Sequence, residues 1–395
     1  MPSSLPELAG VGVLTRAYPP SLVDEVVAGC GRTERRQRLL PARLVVYFLL
    51  AMALFSPAPY LEVMRQLSEG LRWAGLWGEW HLPSKSGIFR ARRRLGAEPM
   101  AALFARCARP LATRSTPGAF WRGYRLMAID GARLDVADSQ ANAAAFGRPG
   151  SGRGEGIGGY PQAHVVALAE CGTHAVTDAV IGGWRDAEIR LAEDLDRSLA
   201  PGMLVLADRN FGSTRLVRVW TAAGAEVCLR AKANRRLPMD QVFPDGSWLS
   251  HIQAGDDRKN GLAPVVVRVI RYRLDDPGRT GEDDYRLITT LLDPVRAPAA
   301  ELAALYPRRW ECETVLDELK THQRGAKSVV LASKTPDGIR QEIYAHLLVH
   351  HALRALMAEA AAEDARPVDC DRLSFTTALR AARRTVTCTP GTFSP

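Results

Sequence analysis

The spacing of apolar and polar positions divides this chain into three parts. Residues 1–118 carry apolar stretches without strand alternation, which predicts helices over 21–27, 41–55 and 60–71. Prolines stand between these stretches, as they do at helix starts and in linkers, at positions 19, 20, 57, 59 and 83. The first part of the chain is therefore predicted to be helical.

A basic helix is predicted near the end of this first part. Ser84 or Ser86 is suited to cap it, and four arginines follow: Arg90, Arg92, Arg93 and Arg94. A short helix, a proline turn and an arginine-rich helix resemble a helix-turn-helix reader of DNA. A basic helix face in solvent explains the same pattern, and the sequence leaves both interpretations open.

From position 124 the pattern changes to short apolar strands separated by helices. Strands are predicted over 125–130, 162–169, 174–181, 203–208 and 226–231. Helices are predicted over 186–199 and 212–223, and a glycine-rich loop from Gly147 separates the first two strands. Three strands in a meander, followed by a crossover to a parallel strand, are the layout of a ribonuclease-H-like α/β domain.

The α/β alternation is interrupted after position 231. Apolar runs over 265–274 and 285–292 flank a turn rich in Asp, Gly and Pro, which predicts a β-hairpin, and helical patterns return over 307–322 and 338–360. We therefore expect an N-terminal helical DNA-binding domain, a catalytic domain in two parts and a β-rich insertion between them. Their predicted bounds are 1–118, 119–231 with 296–395, and 232–295.

Composition and charge narrow the class of protein. The 395 residues, 47% of them hydrophobic, allow a sizeable core, and the net charge of +9 favours polyanions, nucleic acid first. Seven scattered cysteines without a CxxC pair argue against a zinc module. The longest apolar run, 44–55, is shorter than the about 20 residues that span a bilayer, and no signal peptide is recognisable. We therefore expect a cytoplasmic protein.

Two aspartates stand where predicted strands end. Asp130 ends the first strand and precedes Gly131, and Asp208 ends the fourth. Carboxylates at the C-terminal ends of strands project into the crevice where α/β sheets bind ligands. Two neighbouring carboxylates repel unless a cation compensates them, and Mg²⁺ or Mn²⁺ with oxygen ligands meets this need. For either aspartate alone, a cap or turn residue is the commoner explanation.

A third carboxylate belongs to a spaced set of polar residues. Tyr306, Arg309, Glu313 and Lys320 follow the spacing Y-x2-R-x3-E-x6-K. At about 100° per residue of one α-helix, these positions fall within an arc of roughly 60°. One helix face would then present a carboxylate for a metal ion together with phosphate-binding side chains. A solvated charged helix with an Arg309–Glu313 pair is the alternative.

Taken together, these motifs resemble the insertion-sequence-four type of DDE transposases. The resemblance is carried by Asp130-Gly131, by Asp208-Arg209-Asn210-Phe211, by the Tyr160-Pro161-Gln162 step and by the Y-x2-R-x3-E-x6-K set. It extends over nearly the whole chain, because the N-terminal helical region and the β-rich insertion also look like those of the family.

The resemblance implies a DNA transposase that binds terminal inverted repeats and catalyses metal-dependent strand cleavage and strand transfer. The catalytic residues Asp130, Asp208 and Glu313 would ligate two Mg²⁺ ions, for which Mn²⁺ can substitute. The DNA-binding residues would be Tyr306, Arg309 and Lys320. The partners would be terminal repeats, target DNA and further copies of the chain, in a homodimer or a higher assembly, without a membrane.

Two alternatives remain open at this level. One is another ribonuclease-H-like nuclease, against which the long helical region, the insertion and the spaced motif argue. The other is a truncated or domesticated copy that binds DNA without transposition activity, because the tail TVTCTPGTFSP closely follows the last predicted helix.

A few weaker candidates lie outside these motifs. Trp248 is suited to stack on a base or to fill a core. Three histidines in an apolar helix are interpreted as packing residues: His346, His350 and His351. Three arginines form either a DNA-facing patch or a solvated helix end: Arg380, Arg383 and Arg384.

Overall fold

The computed structural model of this chain describes residues 13–36, 38–73, 82–150, 159–273, 285–325, 330–363 and 368–385. Most of the predicted glycine-rich loop and the tail beyond Thr385, including Cys388, lie outside these residues. None of the helices in the described ranges combines the length and apolar character needed to cross a membrane.

The N-terminal part is helical, as the apolar pattern predicts. Ser84 caps the basic helix by accepting from Gly87 N at 3.1 Å, and Gly96, with a φ of 72°, ends it, as glycine at a helix C-terminus commonly does. The helices are α1 (Val13–Ala17), α2 (Pro20–Gly29), α3 (Ala42–Leu54), α4 (Tyr60–Trp73), α5 (Lys85–Leu95) and α6 (Glu98–Cys107).

The middle of the chain forms a mixed sheet with helices in its connections. Its first elements are β1 (Phe120–Trp121), β2 (Tyr124–Asp135), α7 (Gln140–Phe146), β3 (Gln162–Glu170), β4 (Val176–Gly183), α8 (Glu188–Glu193), β5 (Met203–Ala207), α9 (Thr214–Ala222) and β6 (Glu226–Arg230). The strands β2, β3 and β4 are antiparallel neighbours, β5 is parallel to β2, and β6 is parallel to β5. The predicted meander followed by a parallel crossover is thus confirmed.

The segment predicted as a β-rich insertion continues the same sheet. Its elements are β7 (Gln241–Val242), β8 (Trp248–Ile252), α10 (Gly255–Lys259), β9 (Val265–Tyr272) and β10 (Tyr285–Thr289). The strands β9 and β10 pair as the predicted hairpin, and β10 also pairs with β6. The sheet order is therefore β4-β3-β2-β5-β6-β10-β9-β8-β7, and the boundary placed after residue 231 does not separate two sheets.

The remaining helices lie on one face of this sheet. They are α11 (Ala299–Leu305), α12 (Trp310–Asp317), α13 (Pro336–Glu363) and α14 (Phe375–Thr385). Their apolar side chains join those of the N-terminal helices and of one sheet face in a single core, which contains Phe48, Leu126 and Leu348. The opposite sheet face packs on α8 and α9 around the fully buried Trp220. The N-terminal helices therefore share a core with the sheet, although the sequence predicts a separate domain for them.

Two predicted elements differ from the structure. The segment predicted as one helix over 186–199 forms α8 and then a separate 3₁₀ turn over Asp196–Ser198. The two short pieces each pack on the sheet, so no continuous helix forms. The strand predicted to end at position 130 runs on to Asp135, because β3 pairs with it over its whole second half.

Arg92 links the basic helix α5 to the centre of the molecule. Although the sequence placed it on a basic surface, its side chain is buried, and it donates to Gln341 Oε1 at 3.0 Å, to Ser333 Oγ at 2.8 Å and to Tyr60 Oη at 2.6 Å. Glu342 lies 3.4 Å away as its counter-charge. Arg90 and Arg93 remain exposed, so only part of the predicted basic face is available to a partner.

Replacing Arg92 should therefore destabilise the fold. The Arg92→Met variant leaves Glu342 buried without its counter-charge, and we expect a loss of about 3–5 kcal/mol in the free energy of unfolding. Denaturant unfolding measures this loss, with Arg93→Met, exposed on the same helix, as a control that changes stability by no more than about 0.5 kcal/mol. Equal midpoints for the two variants would contradict the role assigned to Arg92.

Candidate active site

Asp130 lies in the middle of the long strand β2 rather than at its end. Pairing of β2 with β5 stops at Ala128 opposite Leu206, whereas pairing with β3 continues to Asp135. Asp130 therefore lies just beyond the end of β5, where β2 is still paired with β3 but no longer with β5. Its Oδ1 accepts from Gly131 N at 2.8 Å. The prediction of a strand-ending aspartate is wrong for β2 itself, but the side chain still lies at the end of a neighbouring strand.

Asp208 follows β5 directly, as predicted. Its Oδ1 accepts from Asn210 N at 2.6 Å, which begins a 3₁₀ turn over Arg209–Phe211. Phe211 is fully buried in the core beneath α9 and anchors this turn. The short polar-aromatic step after the strand therefore fixes the direction in which the carboxylate leaves the sheet.

Glu313 lies on α12, which packs on the sheet near Asp130. The buried face of the helix, Cys312, Val315 and Leu316, packs on the sheet, and Cys312 lies against the carbonyl of Ala167 on β3. Glu313 is half-buried, and its Oε1 accepts from Arg309 Nη1 at 2.8 Å. The pair that the sequence offered as a solvated alternative thus lies near enough to Asp130 for the Glu313 charge to act on it.

Burial and neighbouring carboxylates together set the electrostatic environment of Asp130. Burial raises the pKa of Asp130 to about 6, against the hydrogen bond from Gly131. The charges of Glu313, Glu188 and Asp208 act in the same direction as burial. Asp130 therefore has carboxylates on several sides, and their repulsion favours the binding of a cation.

The chemistry of these carboxylates fits hard divalent cations. Oxygen ligands from carboxylates suit Mg²⁺ and Mn²⁺, and two such ions lie about 4 Å apart in two-metal sites. Among the described residues, the trio whose ligand atoms all lie within 4.8 Å of one another is a different one, His174, Glu311 and Asp371.

That second trio is better explained as a buried ion-pair network than as a metal site. Arg354 Nη2 donates to His174 Nδ1 at 2.8 Å, which leaves the imidazole proton on Nε2. This nitrogen lies 3.0 Å from Asp371 Oδ1 and 3.3 Å from Glu311 Oε2. A protonated nitrogen has no lone pair for a metal ion, whereas it suits a pair of carboxylates.

Glu311 in this network fixes the helix that carries Glu313. Its Oε2 accepts from Gly172 N at 2.6 Å, in the turn between β3 and β4, and Arg308 donates to its Oε1 at 2.8 Å. Glu311 and Glu313 project to different sides of α12. The Glu311 carboxylate binds the Gly172 amide, whereas the Glu313 carboxylate is directed toward Asp130. Glu311 was missed because its local sequence looks like that of any acidic helix residue.

Tyr306 does not share an exposed face with Glu313, contrary to the prediction of one continuous helix. The segment consists of a 3₁₀ turn over Tyr306–Arg309, then α12, then a π-helical turn over Glu318–Gln323, so the constant 100° spacing fails. Tyr306 is buried, and its hydroxyl donates to the carbonyl of Ala207 at 3.0 Å. Burial also raises the pKa of this hydroxyl well above its usual range. Tyr306 thus ties the motif to the residue before Asp208.

The other two motif residues remain at the rim of the site. The Arg309 guanidinium lies 4.1 Å from the ring centre of Trp310, whose side chain is 54% exposed. Lys320 lies in an open cleft next to Gly131, lined also by Arg133, Arg185 and Trp184. The Trp310 ring was overlooked, although an aromatic residue next to a motif arginine is a recognisable signal.

The weaker candidates are accounted for by packing. Trp248 is buried and belongs to the core. Arg383 donates to the carbonyl of Leu54 at 2.7 Å and is half-buried, so the predicted C-terminal patch is not wholly exposed. His350 is fully buried and lies 2.9 Å from Glu318 Oε2.

Glu318 is the first residue of the π-helical turn that follows α12. It is buried, with partners in His350 and Arg354 on α13. Burial acts to raise its pKa, but the hydrogen bonds and charges of these two partners outweigh it and lower the pKa to about 2. Glu318 therefore ties the π-helical turn to α13.

Two family models match this chain, one over its N-terminal helices and one over most of the remaining chain. Residues 8–105 match the family described as Insertion element 4 transposase N-terminal, and residues 121–350 match the family described as Transposase DDE domain. The transposase InsG for insertion sequence element IS4 of Escherichia coli (strain K12) is 28% identical over 344 residues, covering 87% of this chain and 75% of that protein. The putative transposase InsZ of the same strain is 28% identical over 182 residues, covering 46% of this chain and 58% of that protein.

One solved structure of low similarity spans most of the chain. It is a cryo-EM structure of the piggyBac transposase synaptic complex with hairpin DNA, at 12% identity and a TM-score of 0.49, covering 96% of this chain and 80% of that chain.

The hydroxyl of Tyr306 should contribute to stability. In Tyr306→Phe the carbonyl of Ala207 loses its donor, and we expect a loss of about 1 kcal/mol in the free energy of unfolding. Tyr160→Phe, at a tyrosine that is 49% exposed, serves as the control and should change stability by no more than about 0.5 kcal/mol. Denaturant unfolding distinguishes the two, and an unchanged Tyr306→Phe midpoint would contradict this anchoring role.

Proposed function

The chain belongs to the DDE transposase family, and on this premise we propose that Asp130, Asp208 and Glu313 are the catalytic carboxylates with which it cleaves and joins DNA. The DNA ends would be the terminal inverted repeats of its own insertion sequence, and strand transfer into target DNA would follow. The observation that carries the proposal is the crowding of carboxylates around the half-buried Asp130.

The arrangement suits a two-metal reaction on phosphodiesters. Asp130, Asp208 and Glu313 would hold two Mg²⁺ ions, or Mn²⁺ in their place. Such ions supply activation of a water or 3′-hydroxyl nucleophile and stabilisation of the leaving oxygen. The protein's own contribution is to hold three carboxylates in place against their mutual repulsion, by β2, by the anchored turn after β5 and by α12.

Residues around the carboxylates are suited to bind the DNA backbone. Arg309 is oriented by its pair with Glu313 and keeps further N–H donors for a phosphate oxygen. Lys320 lines the cleft next to Gly131, together with Arg133 and Arg185. We assign Tyr306 an indirect role, because its hydroxyl is already used by Ala207. Phosphate contacts of this kind would position the scissile bond without reading sequence.

The finer architecture follows from the same proposal. The meander β2-β3-β4 with the parallel strands β5 and β6 supports a ribonuclease-H-like catalytic domain. The exposed Arg90 and Arg93 on α5 support a DNA-binding role for the N-terminal helices. Because two transposon ends are cut and joined together, the active assembly would be at least a homodimer.

Cleavage of a terminal-repeat duplex tests the proposal. We expect strand cleavage at the repeat boundary with Mg²⁺ or Mn²⁺, and a loss of at least about 100-fold in rate for Asp130→Asn, Asp208→Asn and Glu313→Gln, beyond the 10- to 100-fold typical of outer metal contacts. Asp317→Asn, an exposed carboxylate on the same helix as Glu313, is the matched control and should cleave normally.

Two results would contradict the proposal. Cleavage that survives the Glu313 substitution would mean that the active site lies elsewhere. Specific binding of the repeats without cleavage in either metal would mean that this chain binds DNA but does not carry out transposition.

A further inference from the structure

The carboxylate of Glu188 lies directly over Gly131, the residue after Asp130. A Cβ atom built on Gly131 would lie 2.0 Å from Glu188 Oε1 and 3.1 Å from His164 Nε2. Any side chain at this position would therefore displace the Glu188 carboxylate. The absence of a side chain at Gly131 lets a glutamate from a neighbouring helix approach the strand beside Asp130.

Glu188 approaches from the layer opposite to that of Glu313. Along β2, Ala128 and Ala132 belong to the core under α12, whereas Met127 and Ile129 belong to the core under α8. Asp130 therefore projects toward α12, and Gly131 faces α8, as the alternation of a strand requires. Glu188 is the first residue of α8, so carboxylates from both layers of the fold reach the same point of the sheet.

The turn before α8 fixes the position of Glu188. Asp186 Oδ2 accepts from Gly183 N at 2.7 Å, and the Asp186 carbonyl is 3.1 Å from His164 Nδ1. Because a carbonyl oxygen only accepts, this contact places the imidazole proton on Nδ1. Glu188 is thus held at the end of a turn that is hydrogen-bonded to β3 and β4.

A second observation at the same point indicates a cation. Nε2, the other ring nitrogen of His164, lies 3.8 Å from Glu188 Oε1, and both residues line the cleft beside Gly131. His164 is 4% exposed, so its ring has little access to bulk water. A backbone carbonyl on one ring nitrogen is the usual orientation for a metal-binding histidine, so His164 Nε2 and Glu188 Oε1 are placed to share one ion.

We propose that Glu188 is a fourth acidic residue of the divalent-metal site, reaching Asp130 over Gly131 from the layer opposite to Glu313. This inference rests on the proposed function, since it extends the metal site assigned to Asp130, Asp208 and Glu313. The charge of Glu188 also raises the pKa of Asp130, which is consistent with their proximity. The proposal gives a physical reason for glycine after the first aspartate, because no larger residue leaves room for the fourth carboxylate.

Binding of Mn²⁺ to the full chain without DNA tests the proposal independently of catalysis. In a titration followed by electron paramagnetic resonance, Glu188→Gln should weaken Mn²⁺ binding at least about 10-fold, the lower range for metal-site partners. Asp194→Asn, an exposed carboxylate just after the same helix, removes the same charge away from the cleft and should bind within about 2-fold of the original chain.

A glycine substitution gives a second and different test. Gly131→Ala introduces a Cβ that must displace the Glu188 carboxylate, and the flexible side chain can move without unfolding the strand. Gly131→Ala should therefore weaken Mn²⁺ binding as Glu188→Gln does. The double variant should be no weaker than either single variant, because both remove the same interaction.

The outcomes separate this inference from the proposed function. If Asp130→Asn loses Mn²⁺ but Glu188→Gln and Gly131→Ala bind it like the original chain, Glu188 has no part in the site and the proposed function stands. If Asp130→Asn also binds like the original chain, the proposed metal site itself is wrong, and the role of Glu188 falls with it.

Discussion

Electrostatic repulsion among carboxylates around Asp130 is the constraint on which the site depends. Burial is the main cause that raises the pKa of Asp130 to about 6, and the negative charges of Glu313, Glu188 and Asp208 act in the same direction. The strands and helices around them must supply the opposing rigidity. In the proposed function, divalent ions would complete a site whose ligands the protein has already fixed, and this fixation would be the protein's own contribution to phosphoryl transfer.

The rigidity comes from contacts behind the carboxylates rather than among them. Glu311 binds the Gly172 amide, and Tyr306 binds the Ala207 carbonyl, so that α12 is tied to the turn after β3 and to the end of β5. Glu318 fastens the following π-helical turn to Arg354 on α13. The spaced motif thus divides into residues that line the proposed site, such as Glu313, and residues that anchor the segment, such as Tyr306, a division that the spacing alone does not reveal.

The sequence predicted the meander β2-β3-β4 and the parallel crossover to β5, because apolar runs and strand ends carry that information locally. The assignment of Asp130, Asp208 and Glu313 to one site stays a prediction. Sequence patterns failed where tertiary pairing decides. The strand through Asp130 continues because β3 pairs with it, and Tyr306 is buried because a 3₁₀ turn and a π-helical turn interrupt the regular helix. Glu188 could not be recognised, since its relevance arises only when α8 packs over Gly131.

The most direct test of this account is the position of the metal ions in the protein with its DNA. Crystals of the full chain with a terminal-repeat duplex and Mn²⁺ would give anomalous scattering peaks at each bound ion. We predict two peaks about 4 Å apart among Asp130, Asp208 and Glu313. A peak enclosed by His174, Glu311 and Asp371, with none beside Asp130, would contradict the account.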